Sequence, residues 1–147
     1  MGKKDYDPAM HTAEHILNQT MDRMFACGRS FNAHIEKKKS KCDYRSPRPL
    51  TAEEISAVEE AVNRIIDRNL PVTERMVTRS EAEARFFTGK LPADAGETIR
   101  VVSVGDYDHC PCIGRHVRST SDITGFRLLS ASHENGVLRI RFTLRSE

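Results

Sequence analysis

A hairpin signal stands near the C-terminus, at His133-Glu134-Asn135-Gly136-Val137-Leu138-Arg139-Ile140-Arg141-Phe142-Thr143-Leu144. The Asn-Gly pair strongly favours a two-residue hairpin turn, because both of its positions readily adopt positive φ. After the turn, apolar residues alternate with arginine and threonine, which predicts a strand with one buried face and one wet, basic face. Residues 123–132 are the expected partner strand, so this segment predicts antiparallel pairing.

Three helices are expected upstream of the hairpin. Asp7 can cap the first helix, and Pro8 suits its first turn because the missing N–H would have no partner there. Thr51 and Glu54 form a capping box at the start of the second helix. Ser80, followed three residues later by an acidic side chain, predicts the start of a short third helix.

Extended segments fill most of the remaining chain, whereas residues 105–117 are expected to be irregular. The predicted order is helix, hairpin, helix, strand, helix, strand, hairpin. This order favours an α+β fold, with a mainly antiparallel sheet and helices packed on one face. We find no long linker, so residues 1–147 are expected to form a single domain. The expected strands outside the C-terminal hairpin are residues 31–37, 41–45, 72–78 and 98–104.

The composition excludes several classes of protein. The 147 residues are 38% hydrophobic and 30% charged, which argues against wholesale disorder, and no apolar run approaches the ~20 residues of a membrane span. The N-terminal residues do not resemble a secretory signal, so we expect a cytoplasmic, reducing compartment without a disulfide framework. The net charge is only +2, but residues 34–48 alone carry a net +4. The four lysines of that segment fit either a phosphate-contacting surface or a solvated hairpin tip: Lys37, Lys38, Lys39 and Lys41.

Two pairs of side chains have the spacing of metal ligands. His11 and His15 lie four residues apart on one face of the first helix, opposite its apolar stripe, and Cys112 and His116 have the same separation. Together the pairs offer three nitrogens and one sulfur, a set suited to tetrahedral Zn²⁺. Each pair also fits an ordinary surface position, and Cys110 is a further thiol that could compete for a metal. The spacing alone leaves these possibilities open.

The same helix supports a different hypothesis. The run His11-Thr12-Ala13-Glu14-His15 matches the H-x-x-E-H motif of inverted zinc peptidases. Glu14 would then act as a general base toward a zinc-bound water. A peptidase would need a third ligand from another helix, and it would leave Cys112 and His116 without a role.

The chain resembles the editing domain shared by alanyl- and threonyl-tRNA synthetases, and most closely its freestanding form, the AlaX-type alanyl-tRNA editing proteins. The resemblance extends from about residue 9 to residue 144. One difference is Ile113-Gly114-Arg115, where alanyl-tRNA synthetases usually have Gly-Gly-Thr. Three segments carry the resemblance: His11-Thr12-Ala13-Glu14-His15-Ile16-Leu17, Cys112-Ile113-Gly114-Arg115-His116-Val117 and Ser119-Thr120-Ser121-Asp122-Ile123-Thr124-Gly125.

The resemblance implies a zinc-dependent hydrolase that cleaves the ester between a wrong amino acid and its tRNA, typically serine on alanine tRNA. It implies Thr12 as a candidate wall of the amino-acid pocket and Arg115 as a candidate RNA contact. The lysines of residues 37–41, with Arg139 and Arg141, are further candidates to bind tRNA. A non-catalytic RNA-binding module stabilised by zinc is a third hypothesis. The implied zinc ligands are His11, His15, Cys112 and His116.

Overall fold

A computed structural model of the chain describes residues 7–86 and 96–145. Within these ranges the chain forms three α-helices, seven β-strands and one short 3-10 turn at Thr120–Asp122. The helices are α1 (Pro8–Phe25), α2 (Ala52–Ile66) and α3 (Arg79–Arg85). The strands are β1 (Asn32–His34), β2 (Ser40–Arg45), β3 (Val72–Thr78), β4 (Thr98–Val104), β5 (Asp108–Pro111), β6 (Phe126–Glu134) and β7 (Val137–Leu144).

The strands form two antiparallel sheets. One sheet has the order β1-β2-β7-β6, and the other has the order β3-β4-β5. The α+β class and the antiparallel pairing are therefore confirmed, with the strands divided between two sheets. The C-terminal hairpin forms as predicted, because Asn135 and Gly136 both adopt positive φ, 54° and 78°, in the turn between β6 and β7.

Helix α1 is buried on two sides. Asp7 caps it as predicted, by accepting a hydrogen bond from the amide of Met10. Its apolar side packs into the main core, and it also contacts α2, β4 and β5. As a result, His11 and His15 are only 5% and 3% exposed although they lie opposite the apolar stripe.

The two later helices differ in how well their starts were predicted. Thr51 and Glu54 form the expected capping box of α2, each side chain bonding the other residue's amide. The expected start of α3 at Ser80 is wrong, because Thr78 is the N-cap and accepts from the amide of Glu81. Both Thr78 and Ser80 are followed three residues later by glutamate, so the capping pattern fits either start.

The segment expected to be irregular contains strand β5. Val102 pairs with Cys110 and Val101 with Pro111, at the edge of the three-stranded sheet. Pro111 is tolerated there because an edge strand has a side on which no amide hydrogen bond is needed. This strand sets the position of Cys112, which follows it directly. No helix in the described parts of the chain has the length and apolar character needed to cross a membrane.

Candidate metal centre

Four side chains from two distant parts of the chain meet at one point. His11 and His15 project from α1, one turn apart, and Cys112 and His116 lie in the segment that follows β5. The Cys112 Sγ atom is 3.5 Å from Nε2 of His11 and 3.5 Å from Nε2 of His116. One ligand atom from each of the four residues lies within 4.8 Å of every other. The structure therefore brings together the four side chains that the sequence singled out as a set.

The three imidazole rings pack closely around the cluster. The His11 and His116 rings are stacked with their centroids 4.3 Å apart. The His15 ring meets both of them edge-on, at 5.1 Å from His11 and 4.5 Å from His116. His11 and His15 are buried, whereas Cys112 and His116 are partly exposed. Helix α1 thus shields one side of the cluster from solvent, and the cluster is accessible from the side of residues 112–116.

The donor set and its spacing fit Zn²⁺. Bonds of about 2.3 Å to sulfur and about 2.0–2.1 Å to nitrogen, at tetrahedral angles, place neighbouring ligand atoms roughly 3.3–3.6 Å apart. The two sulfur–nitrogen distances of 3.5 Å fall in this range. The amide of Gly114 also points at Cys112 Sγ, at 3.4 Å, which stabilises a thiolate by a hydrogen bond.

The charges of two side chains in the cluster, Cys112 and His116, suit metal ligands, whereas for His15 burial is outweighed by hydrogen bonds to Asp108 and Cys112, which raise its pKa to about 9. Burial alone would raise the pKa of Cys112, but its hydrogen bonds with His11, His116 and His15 lower that pKa to about 3. Burial lowers the pKa of His116 to about 4. Cys112 is therefore a thiolate and His116 a neutral imidazole near pH 7, the forms in which both residues bind metals.

Thr12 holds the ring of His116 from behind. Its hydroxyl donates to the carbonyl of Pro8 at 2.9 Å, which uses its only proton. The hydroxyl oxygen must therefore accept the contacts from His116 Nδ1 at 2.9 Å and from the amide of Val117 at 3.3 Å. This fixes the proton of His116 on Nδ1 and leaves Nε2 free to face the cluster. Thr12, proposed from the sequence as a pocket residue, is fully buried.

Arg100 on β4 holds the segment that carries Cys112. Its Nη1 donates to the carbonyls of Cys112 and Gly114 at 3.0 and 2.7 Å. Its Nη2 donates to Glu74 Oε2 on the neighbouring strand β3 at 2.7 Å. The amide of Cys112 in turn donates to the carbonyl of Arg100 at 3.1 Å. This role of Arg100 was not predicted, because a single arginine within a β-branched strand has no motif around it.

Glu14 lies beside the cluster. Its Oε1 is 3.5 Å from Nε2 of His11, and its Oε2 accepts from Asn18 at 3.2 Å. Asn18 is itself fixed, because its carbonyl oxygen accepts from Tyr44 Oη at 2.8 Å and from the amide of Ser30 at 3.1 Å. The carboxylate of the H-x-x-E-H motif is therefore held by a buried network at the side of His11.

The basic residues proposed as RNA contacts divide into two groups. Lys37, Lys38 and Lys39 are exposed in the turn between β1 and β2, and Arg115 is exposed next to the cluster. Lys41 and Arg141 pair across β2 and β7 and line one surface cleft together with Lys39. Arg139 differs, because Asp43 binds its guanidinium at 2.8 and 2.9 Å, so its charge is largely neutralised within the fold.

The structure has an α+β fold and a cluster of three histidines and one cysteine that could hold a metal ion. Residues 99–141 match the family model described as the threonyl and alanyl tRNA synthetase second additional domain. This match includes Cys112 and His116, while His11 and His15 lie upstream of it.

Longer matches are found with alanine–tRNA ligases. The ligase of Aeropyrum pernix is 35% identical over 140 residues, which covers 90% of this chain and 15% of the ligase. The ligase of Parvibaculum lavamentivorans is 33% identical over 153 residues, covering 93% of this chain and 16% of the ligase. The chain thus spans about 15% of the length of the relatives it matches. These matches confirm the resemblance: the chain is related to the editing domain of alanyl-tRNA synthetases.

Proposed function

We propose that this protein is a zinc-dependent deacylase that hydrolyses mischarged aminoacyl-tRNA, with seryl-tRNA(Ala) as its substrate. The observation that carries the proposal is the cluster of His11, His15, Cys112 and His116 in a chain related to alanyl-tRNA synthetases. None of the four cysteines is in a disulfide, which suits a metal ligand in a reducing, cytoplasmic setting.

The proposed reaction makes modest chemical demands. When bound, Zn²⁺ would supply a Lewis acid at this site. An aminoacyl ester is already activated toward hydrolysis, so positioning of the ester and stabilisation of developing negative charge contribute most of the acceleration. The partly exposed side of the cluster, at Cys112 and His116, is where the aminoacyl end would approach. Thr12 keeps His116 in place there, and we propose that it shapes the amino-acid pocket through that contact.

Binding of the tRNA backbone would depend on the exposed basic residues. Arg115 next to the cluster and the three lysines of the β1–β2 turn are exposed, and each phosphate contact they make would release condensed counterions. Lys41 lies in the adjoining strand β2 and adds to the same basic surface. Sequence-independent contacts of this kind orient a nucleic acid without selecting it.

The structure favours this hypothesis over a small zinc peptidase. The peptidase hypothesis leaves Cys112 and His116 without a role, yet both lie within ligand distance of His11 and His15. A non-catalytic RNA-binding module would keep the same four ligands, so only an activity measurement separates it from a deacylase.

The test is hydrolysis of seryl-tRNA(Ala) by the zinc-loaded protein, with alanyl-tRNA(Ala) as the correctly charged control. We expect rapid release of serine, slow release of alanine, and loss of both on Cys112→Ala. Cys110→Ala is the matched control, because Cys110 is a neighbouring thiol outside the donor group, and it should keep the activity. Zinc-loaded protein that releases serine no faster than the uncatalysed reaction would leave the RNA-binding module as the better account.

A further inference from the structure

Asp108 is a fully buried carboxylate behind the metal centre. It begins β5, four residues before Cys112, and its side chain is 0% exposed. Arg29 binds it with two nitrogens, at 2.6 Å to Oδ1 and 3.2 Å to Oδ2. Gln19 of α1 donates to Oδ1 at 3.0 Å. The carboxylate is therefore held in a fixed orientation from two directions.

The second oxygen of Asp108 faces a ligand of the cluster. Oδ2 lies 3.4 Å from Nδ1 of His15, and both side chains are buried. Nδ1 of His15 is a buried nitrogen that makes no well-aligned hydrogen bond to the described residues. A movement of about 0.4 Å would bring it to an ordinary N–H···O distance from Oδ2.

Stability alone is a weak explanation for the buried ion pair between Arg29 and Asp108, because well-packed apolar side chains of similar size often stabilise a protein as well or better. Arg29 contacts both oxygens of Asp108, and its positive charge favours the ionised carboxylate. A carboxylate therefore lies directly behind one histidine of the cluster.

We propose that Asp108 is a positioning residue for His15: it accepts the Nδ1 proton and so directs Nε2 of His15 toward the metal. Metal-binding histidines commonly donate their second ring nitrogen to a carboxylate, which fixes the tautomer and makes the ligand nitrogen more basic. Arg29 and Gln19 keep the carboxylate aimed at the ring. This inference rests on the proposed metal site and adds to it a residue outside the ligand set.

The first test compares two buried aspartates. Asp108→Asn removes the charge with little change in volume, and we expect it to weaken zinc binding by about 10- to 100-fold, measured by competition with a chromogenic chelator. Asp43→Asn is the matched control, because Asp43 is 4% exposed and also bound by two nitrogens of one arginine, Arg139, and it should bind zinc like the wild type. Equal weakening in both variants would indicate a general loss of stability and would overturn the proposal, as would unchanged affinity in Asp108→Asn.

A second measurement uses the wild-type protein and does not depend on how a variant folds. Two-dimensional ¹⁵N–¹H spectra of the zinc-loaded protein report which nitrogen of each imidazole carries a proton. We expect a protonated Nδ1 on His15, and a proton on Nε2 with Nδ1 bound to the metal would overturn the proposal. Wild-type protein that binds no zinc at all would instead reject the proposed function, so the two failures are distinguishable.

Discussion

Cys112 lies in surroundings that suit a metal ligand. Three histidines lower its pKa to about 3 in spite of its burial, and the amide of Gly114 points at its sulfur. Cys110, two residues earlier, is buried at a different place, where burial raises its pKa to about 12. The two thiols therefore differ in charge at neutral pH, and only the thiolate is ready to bind a metal.

This contrast predicts different effects of removing each sulfur. Cys112→Ala should weaken zinc binding by more than about a hundredfold, since losing a ligand costs more than losing an outer contact. Cys110→Ala should retain one zinc per chain. Metal analysis after dialysis against a weak chelator measures both variants, and a Cys112→Ala protein that keeps its zinc would favour the peptidase hypothesis.

At the residue level, spacing alone left a joint metal site open, and the resemblance to the editing domain implied it. The structure brings the four implied side chains, His11, His15, Cys112 and His116, within 4.8 Å of one another. Asp108 could not be found in this way, because its partners are far away in the chain: Arg29, in the segment after α1, is 79 residues away, and Gln19, in α1, is 89 residues away. A buried contact between distant single residues leaves no local pattern.

At the scale of elements, β4 and β5 support the cysteine side of the site. Arg100 on β4 binds two carbonyls of the segment that follows β5, and Glu74 on β3 binds Arg100 in turn. Strand β5 was not predicted because it has only four residues and its last residue is Pro111, and four residues is at the short end for strands. Its pairing with β4 was required to identify it.

Replacing Arg100 should loosen residues 112–116, which carry two of the proposed metal ligands, without unfolding the sheet. We expect Arg100→Met to weaken zinc binding by about tenfold, because Cys112 would be less well oriented. Arg75→Met is the control, since Arg75 lies on the adjacent strand β3 and its ion pair with Glu81 is exposed. Chelator competition on both variants provides the comparison, and identical affinities would show that Arg100 has no part in metal binding.

The turn between β1 and β2 is the element expected to contact RNA. Replacing Lys37, Lys38 and Lys39 with alanine should weaken tRNA binding and reduce the slope of log affinity against log salt by about 2–3. The matched control replaces three other exposed basic residues, Arg64, Arg68 and Arg85. If the lysine variant keeps the wild-type slope, the turn is only a solvated hairpin tip.

At the scale of the whole molecule, the cluster joins two regions that are far apart in the chain. His11 and Cys112 are 101 residues apart, and the main core lies largely on the other side of α1. The fold class was predictable because hairpin and capping signals are local, but the division into two sheets was not. That division depends on long-range pairings, which no segment of the sequence specifies alone.

A metal that joins such distant segments should stabilise the folded state. A zinc concentration a thousandfold above the dissociation constant stabilises the fold by about 4 kcal/mol, which corresponds to a rise of about 10 °C in Tm for a protein of this size. Differential scanning calorimetry with and without zinc measures the rise. Cys112→Ala should show a much smaller one, and an equal rise in that variant would mean that zinc stabilises the protein elsewhere.

We propose that one metal ion is bound by three histidines and Cys112. X-ray absorption at the zinc edge of the loaded wild-type protein tests it most directly, because sulfur and nitrogen ligands differ in distance. We expect one sulfur at about 2.3 Å and three nitrogens at about 2.0–2.1 Å from the metal. A first shell made only of nitrogen and oxygen, without sulfur, would contradict it.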